Sequence, residues 1–116
     1  MTTMGTLAEC RFHASTEPKL LEVAQILKQR FSDYHLHVNY WNTLVEVGRR
    51  SMGSNGCYHE VCNYLISLNP DGSLRVNAIQ FFPGDIQSKW SSTFEPSLTP
   101  AEVANGIPLR LPNMFD

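Results

Sequence analysis

The tetrapeptide Asn69-Pro70-Asp71-Gly72 constrains this chain more than any other stretch. Pro70 presets the backbone for the first corner of a turn. Asp71 suits the next corner, and Gly72 can take the left-handed conformation that follows. The combination predicts a type I turn closed by a one-residue bulge at Gly72, a standard three-residue hairpin connection. Such a turn also fixes a register. With Asn69 opposite Ser73, Leu68 faces Leu74, Ile66 faces Val76 and Tyr64 faces Ala78, so one face of the ribbon is continuously apolar. A hairpin over Tyr58–Leu68 and Ser73–Phe82 is therefore the expected centre of a sheet.

The flanking segments supply the other elements. Ala8, Cys10, Phe12 and Ala14 alternate with Glu9, Arg11 and His13, the pattern of a half-buried strand over Leu7–Ala14. Leu20, Val23, Ala24, Leu27 and Phe31 then recur at helical spacing. Ser15 or Thr16 is the expected cap of this helix, Pro18 fits its first turn, and Ser32-Asp33 marks its end. Tyr34, Leu36, Val38 and Tyr40 form a second strand, and Thr43–Val47 a third stretch, either bent from the second at Trp41-Asn42 or separate from it. Arg49–Gly56 reads as a loop. Asp85–Ser97 has no period and reads as an irregular loop anchored by Ile86, Trp90 and Phe94.

Thr99 and Glu102 make a capping box with Pro100 at the first helical position and Leu98 placed to staple onto Val103. Asn105-Gly106 stops that short helix. The tail, Ile107–Asp116, carries Pro108 and Pro112 and should be extended. The expected fold is therefore α+β in a single domain over residues 1–116. It has an antiparallel sheet of about four or five strands, one long N-terminal helix on one face and a short C-terminal helix. This outline resembles the cystatin-like and chaperone-like α+β layouts, which implies a fold and no function. Leu44-Val45-Glu46-Val47-Gly48 resembles the inhibitory loop of cystatins, but the chain between helix and loop is too short and no Pro-Trp pair follows, so the match is read as chance.

Composition narrows the function classes. The nine Lys and Arg residues are dispersed, only Arg49-Arg50 are adjacent, and the net charge is −2, so nucleic acid, which needs a broad basic face, is not the expected partner. No apolar run approaches the ~20 residues of a membrane-spanning helix. Met1–Gly5 has neither the basic nor the apolar part of an export signal, and Cys10, Cys57 and Cys62 make no disulfide framework, so a cytoplasmic chain with reduced thiols is expected.

Several residues have chemistry to offer, each with a plainer role beside it. His35 and His37 share one strand face, and His59 with Cys57 has matching parity in a later strand, a spacing that metal ligands on a sheet require. The plainer reading is the wet face of a half-buried sheet, and no Cys-x-x-Cys or His-Glu-x-x-His motif supports a metal. Cys57 with His59 pairs a thiol with a base, but at a strand start with little to activate it. Glu60 shares parity with Cys62 and Tyr64, where burial would raise its pKa, though a frayed sheet end explains it as well. Arg49-Arg50 beside Gly53-Ser54-Asn55-Gly56 suits an acidic partner better than a nucleotide, because no P-loop pattern is present. Trp41 or Trp90, if exposed, suits an interface anchor. No catalytic residue and no cofactor is assigned.

The second face of the hairpin carries the strongest functional signal. Val61, Leu65, Ile79 and Phe81 lie where a one-sided sheet would place polar residues. The expected coverings are the chain's own loop with Trp90 and Phe94, its own tail, another protein, or a second copy. The leading expectation is a small protein-binding module: an inhibitor, immunity protein, adaptor or assembly factor, with self-association to a dimer included. Its expected contacts are Val61, Leu65, Ile79 and Phe81, with Leu109, Leu111 and Phe115 from the tail and Arg49 and Arg50 at the rim. The alternative is a small enzyme or ligand- or metal-binding protein using His35, His37 and His59 on the sheet.

Overall fold

The computed structural model describes residues 8–11, 15–52, 58–81, 87–109 and 111, with the backbone alone for 8–11, 51–52, 58–60 and 87. The chain is α+β: β1 (Ala8–Arg11), α1 (Pro18–Arg30), β2 (His35–Tyr40), β3 (Leu44–Met52), β4 (Tyr58–Leu68), β5 (Leu74–Phe81), β6 (Gln87–Phe94) and α2 (Pro100–Asn105). The six strands form one sheet in sequence order. β2 to β6 are an antiparallel meander, and β1 adds in parallel to β2. A parallel neighbour needs a crossover connection, which α1 supplies.

The central hairpin forms as its turn dictates. Gly72 N–H donates to the Asn69 carbonyl and Asn69 N–H to the Ser73 carbonyl, both at 2.9 Å. Gly72 has φ +90°, a conformation that L side chains rarely adopt. Asp71 Oδ1 accepts from Ser73 N–H at 2.9 Å and from Ser73 Oγ at 2.6 Å, which pins the turn. The register pairs Leu68 with Leu74, Ile66 with Val76 and Tyr64 with Ala78.

β2 and β3 are separate strands, closed at Asn42-Thr43 by the Trp41 N–H to Leu44 carbonyl bond at 2.8 Å. The string Leu44–Gly48 is thus strand interior and not an exposed loop. Two expected loops also prove to be strand. β3 runs on through Arg49, Arg50 and Ser51 to Met52, ending in a register shift that leaves His59 of β4 as the extra residue. β6 occupies most of Asp85–Ser97; its inward positions are Ser88, Trp90, Ser92 and Phe94, and the two serines hide the alternation.

α1 begins at Pro18 with Glu17 as its N-cap, instead of Ser15 or Thr16. Glu17 makes no side-chain cap bond. Its backbone N–H instead donates to Asn42 O at 3.0 Å, tying the helix start to the β2–β3 turn. α2 has its capping box: Glu102 N–H donates to Thr99 Oγ1 at 3.2 Å and Thr99 N–H to Glu102 Oε1 at 2.9 Å. Leu20, Val23, Ala24 and Leu27 of α1 are buried with Val38, Val45, Val47, Tyr64, Ile66 and Val76 of the sheet, and Val103 and Ala104 of α2 join the same core. Both helices therefore lie on one face of the sheet. Among the described residues, no helix is long and apolar enough to cross a membrane.

Candidate functional site

Strand parity divides the side chains between the two sheet faces. Val38, Val47, Tyr64 and Ala78 are buried against the helix layer. Their neighbours in sequence point the other way. On that open face Val61 pairs with Phe81, Asn63 with Ile79 and Leu65 with Asn77. Leu65 is 40% exposed, Phe81 39% and Ile79 37%, while Val61 is partly covered between Phe81 and Arg50. Large apolar side chains on neighbouring strands therefore make one continuous patch. Beside it, Leu65, Asn77, Ile79, Lys89 and Ser91 border a shallow open cup of about 480 Å³.

The described part of the tail does not cover this patch, and the helix side of the sheet contains the reason. Arg49 is fully buried there. Its guanidinium carbon lies 4.6 Å from the Tyr34 ring centroid, 5.3 Å from Phe31 and 5.9 Å from Tyr64. A cation gains most from aromatic faces when water is excluded. Its Nε donates to Tyr64 Oη at 3.3 Å, and its Nη2 donates to the Leu109 carbonyl. Tyr64 Oη in turn donates to the Pro108 carbonyl at 3.0 Å.

Burial pushes the Tyr64 phenol far above its ordinary pKa; neighbouring Cys62 adds to the push, and Arg49 opposes it. Tyr64 therefore keeps its donor proton over the whole physiological range. Gln80 Oε1 completes the clamp by accepting from Leu111 N–H at 2.9 Å. One step earlier in the chain, Arg30 donates to the carbonyls of Ala104 and Ile107. Ala104, Ile107, Pro108, Leu109 and Leu111 are thus held on the helix side of the sheet by their main-chain groups, on the opposite side from the patch.

This geometry sorts the expected contacts. Val61, Leu65, Ile79 and Phe81 come together, with Arg50 beside Val61. Arg49 does not stand at their rim. It pairs in register with Cys62 and shares the inward parity of Val45 and Val47. Leu111 is buried on the helix side, and Leu109, though 46% exposed, belongs to the same clamped segment. Phe115 and Cys57 lie outside the described residues. The expected covering by Trp90 and Phe94 does not occur, because both belong to β6 with inward parity. Trp41 is 40% exposed at the β2–β3 turn, away from the patch.

His35 and His37 share the open face, opposite Arg50 and Gly48 respectively. The His37 imidazole lies so close over Gly48 that a methyl group there would overlap it. Among the described residues, no three His, Cys, Asp or Glu side chains converge on a metal-sized site. The side chains of His59 and Glu60 fall outside that description. Sequence reasoning missed the aromatic clamp around Arg49, although the parity Val45, Val47, Arg49 signals it. It also missed Asn63, whose Oδ1 is buried in the open face with no donor among the described residues. No known protein family, curated protein or solved structure matches this chain.

Proposed function

We propose that this protein works by binding another protein through the open face of its sheet, with Leu65, Ile79 and Phe81 as the anchors and Val61 beside them. The observation that carries this reading is the run of half-exposed apolar side chains on a face that neither helix nor the described tail covers. Singly exposed apolar residues need no explanation, whereas a contiguous cluster does. Its size also says what kind of contact to expect. Removing the remaining exposed area of three such side chains contributes about 2–4 kcal/mol. Association costs at least ~4 kcal/mol in lost freedom, so the apolar patch alone is too small to hold a permanent partner. The contact is a specific, reversible one that also uses polar groups.

The test places a photo-crosslinking benzophenone residue at Phe81 or Leu65, and as a control at Gln29 on the exposed side of α1, in the source cells. A discrete protein adduct from positions 81 and 65 that is absent from 29 is the expected result. No adduct, or the same adduct from all three positions, overturns the reading. Native mass spectrometry of the purified chain provides the second arm. Stoichiometric bound metal would move the reading to the face carrying His35 and His37.

A further inference from the structure

The polar groups around the patch narrow the partner, given the face-binding reading above. Among the described side chains of the open face, the formal charges are Arg50, Arg75 and Lys89 against Glu46, a net positive set in a chain whose net charge is −2. Both signs have neutral partners on this face: Asn39 Nδ2 donates to Glu46 Oε1 at 2.9 Å, and Arg75 Nη1 donates to Thr93 Oγ1 at 3.4 Å. Lys89 stands directly beside Ile79 in the register, and Arg50 directly beside Val61. Arg75 lies at the other end of β5, on the same face and exposed. The patch is therefore apolar at its centre, with Lys89, Arg50 and Arg75 along its borders and one carboxylate, Glu46, directly beside Leu65. Of the other described acidic side chains, Glu17, Glu22, Asp33, Glu95 and Glu102 belong to the helices and their connections, and Asp71 to the β4–β5 turn.

A second copy is a poor occupant. A two-fold face-to-face dimer would bring two net-positive borders together, because each surface meets its own image. Charge complementarity points instead to a partner of opposite sign.

We propose that the open face receives an acidic protein segment, in which one or two large apolar side chains seat on Leu65, Ile79 and Phe81 while flanking Asp or Glu residues pair with Lys89 and Arg75. Borders of this type act mainly on encounter rate and on the choice of partner, and they weaken as salt screens them.

The experiment selects a displayed library of random linear peptides against the purified full chain at low ionic strength. In parallel, the library is selected against Phe81→Glu and against the double variant Arg75→Glu/Lys89→Glu, each confirmed as folded by circular dichroism and urea unfolding. Ile79→Asn replaces Phe81→Glu if that variant fails to fold. The expected winners carry aromatic or branched apolar residues bordered by Asp or Glu. Their affinity falls about ten-fold on the double charge reversal and falls again as salt is raised. They are lost on Phe81→Glu.

Winners that are neutral or basic yet depend on Phe81 overturn the acidic partner and leave the face reading standing. Winners that bind Phe81→Glu as well as the native chain overturn both. An absence of winners overturns the acidic partner. So does Phe81-dependent dimerisation in sedimentation equilibrium, or Lys89-dependent binding to phosphatidylserine-containing vesicles.

Discussion

Replacing Arg49 separates what its charge contributes from what its shape and hydrogen bonds contribute. The side chain is fully buried, surrounded by Phe31, Tyr34 and Tyr64, and bonded to the Leu109 carbonyl and the Tyr64 hydroxyl. Arg49→Met keeps most of the volume and removes a cation whose desolvation is itself costly. It leaves the Leu109 carbonyl with only the long bond from Tyr64 Oη at 3.4 Å, a loss of about 1–3 kcal/mol, and gives up cation–ring attraction of about 2 kcal/mol. Relief of the buried charge offsets part of this, so a net loss of about 1–2 kcal/mol is expected. Arg49→Ala adds a cavity and is expected to cost about 3–5 kcal/mol. Arg49→Lys keeps the charge without the planar fork and falls between them. Urea unfolding followed by tryptophan fluorescence reads these values, with the slope of the transition confirming a common native state. Amide exchange at Leu111 should rise in every variant, because the clamp holds the tail. An Arg49→Met loss as large as that of Arg49→Ala would refute the reasoning, since the volume term would then be irrelevant. Losses under about 0.5 kcal/mol in all three would show that the clamp holds nothing.

Three further perturbations test other parts of the structure. Gly106→Ala places a Cβ 2.6 Å from the buried Phe94 ring, so thermal unfolding should show a loss of about 1–3 kcal/mol. Gly48→Ala displaces the His37 imidazole, and its cost should shrink when His37 is also Ala, a coupling of about 1 kcal/mol in a double-mutant cycle. Hydrogen bonds from Ser73 lower the pKa of the Asp71 carboxyl below its ordinary value. The stabilisation this gives is complete above the unfolded-chain value of about 4 and is lost as pH falls through the depressed folded value. The stability gap between native chain and Asp71→Asn, measured by urea unfolding, should therefore stay constant above about pH 5 and close under acid.

What the sequence disclosed follows the range of the forces involved. The hairpin at Pro70-Asp71-Gly72 and the Thr99–Glu102 box are legible because their bonds close within a few residues. β6 is not, because its inward positions alternate Ser88, Trp90, Ser92 and Phe94, and serine carries no apolar signal. The N-cap of α1 is not, because its partner is the carbonyl of Asn42 on a distant turn. Arg49 is the instructive case among the candidate site residues. Its neighbour Arg50 and the glycines that follow suggest a wet loop, whereas register places it opposite Cys62 on the inward face. A buried arginine becomes tenable only once Phe31, Tyr34, Tyr64 and the tail carbonyl are assembled around it, and the α1–β2 connection, β4 and the tail all contribute to that. The apolar patch itself was legible from parity in the hairpin. That the tail leaves it bare as far as Leu111 was not, because the clamp lies on the other face.

The clamp and the patch belong together in this account. Arg49, Tyr64 and Gln80 hold Pro108, Leu109 and Leu111 on the helix side of the sheet, and Leu65, Ile79 and Phe81 stay partly exposed on the opposite face, where the proposed partner binds. Side-chain footprinting with hydroxyl radicals tests this most directly, comparing purified protein with the same chain inside its source cells. The account predicts that Leu65, Ile79 and Phe81 are modified in the purified protein and protected in cells, while Ile26 on the helix layer reacts equally in both. Equal modification of the three patch residues in both settings would contradict it.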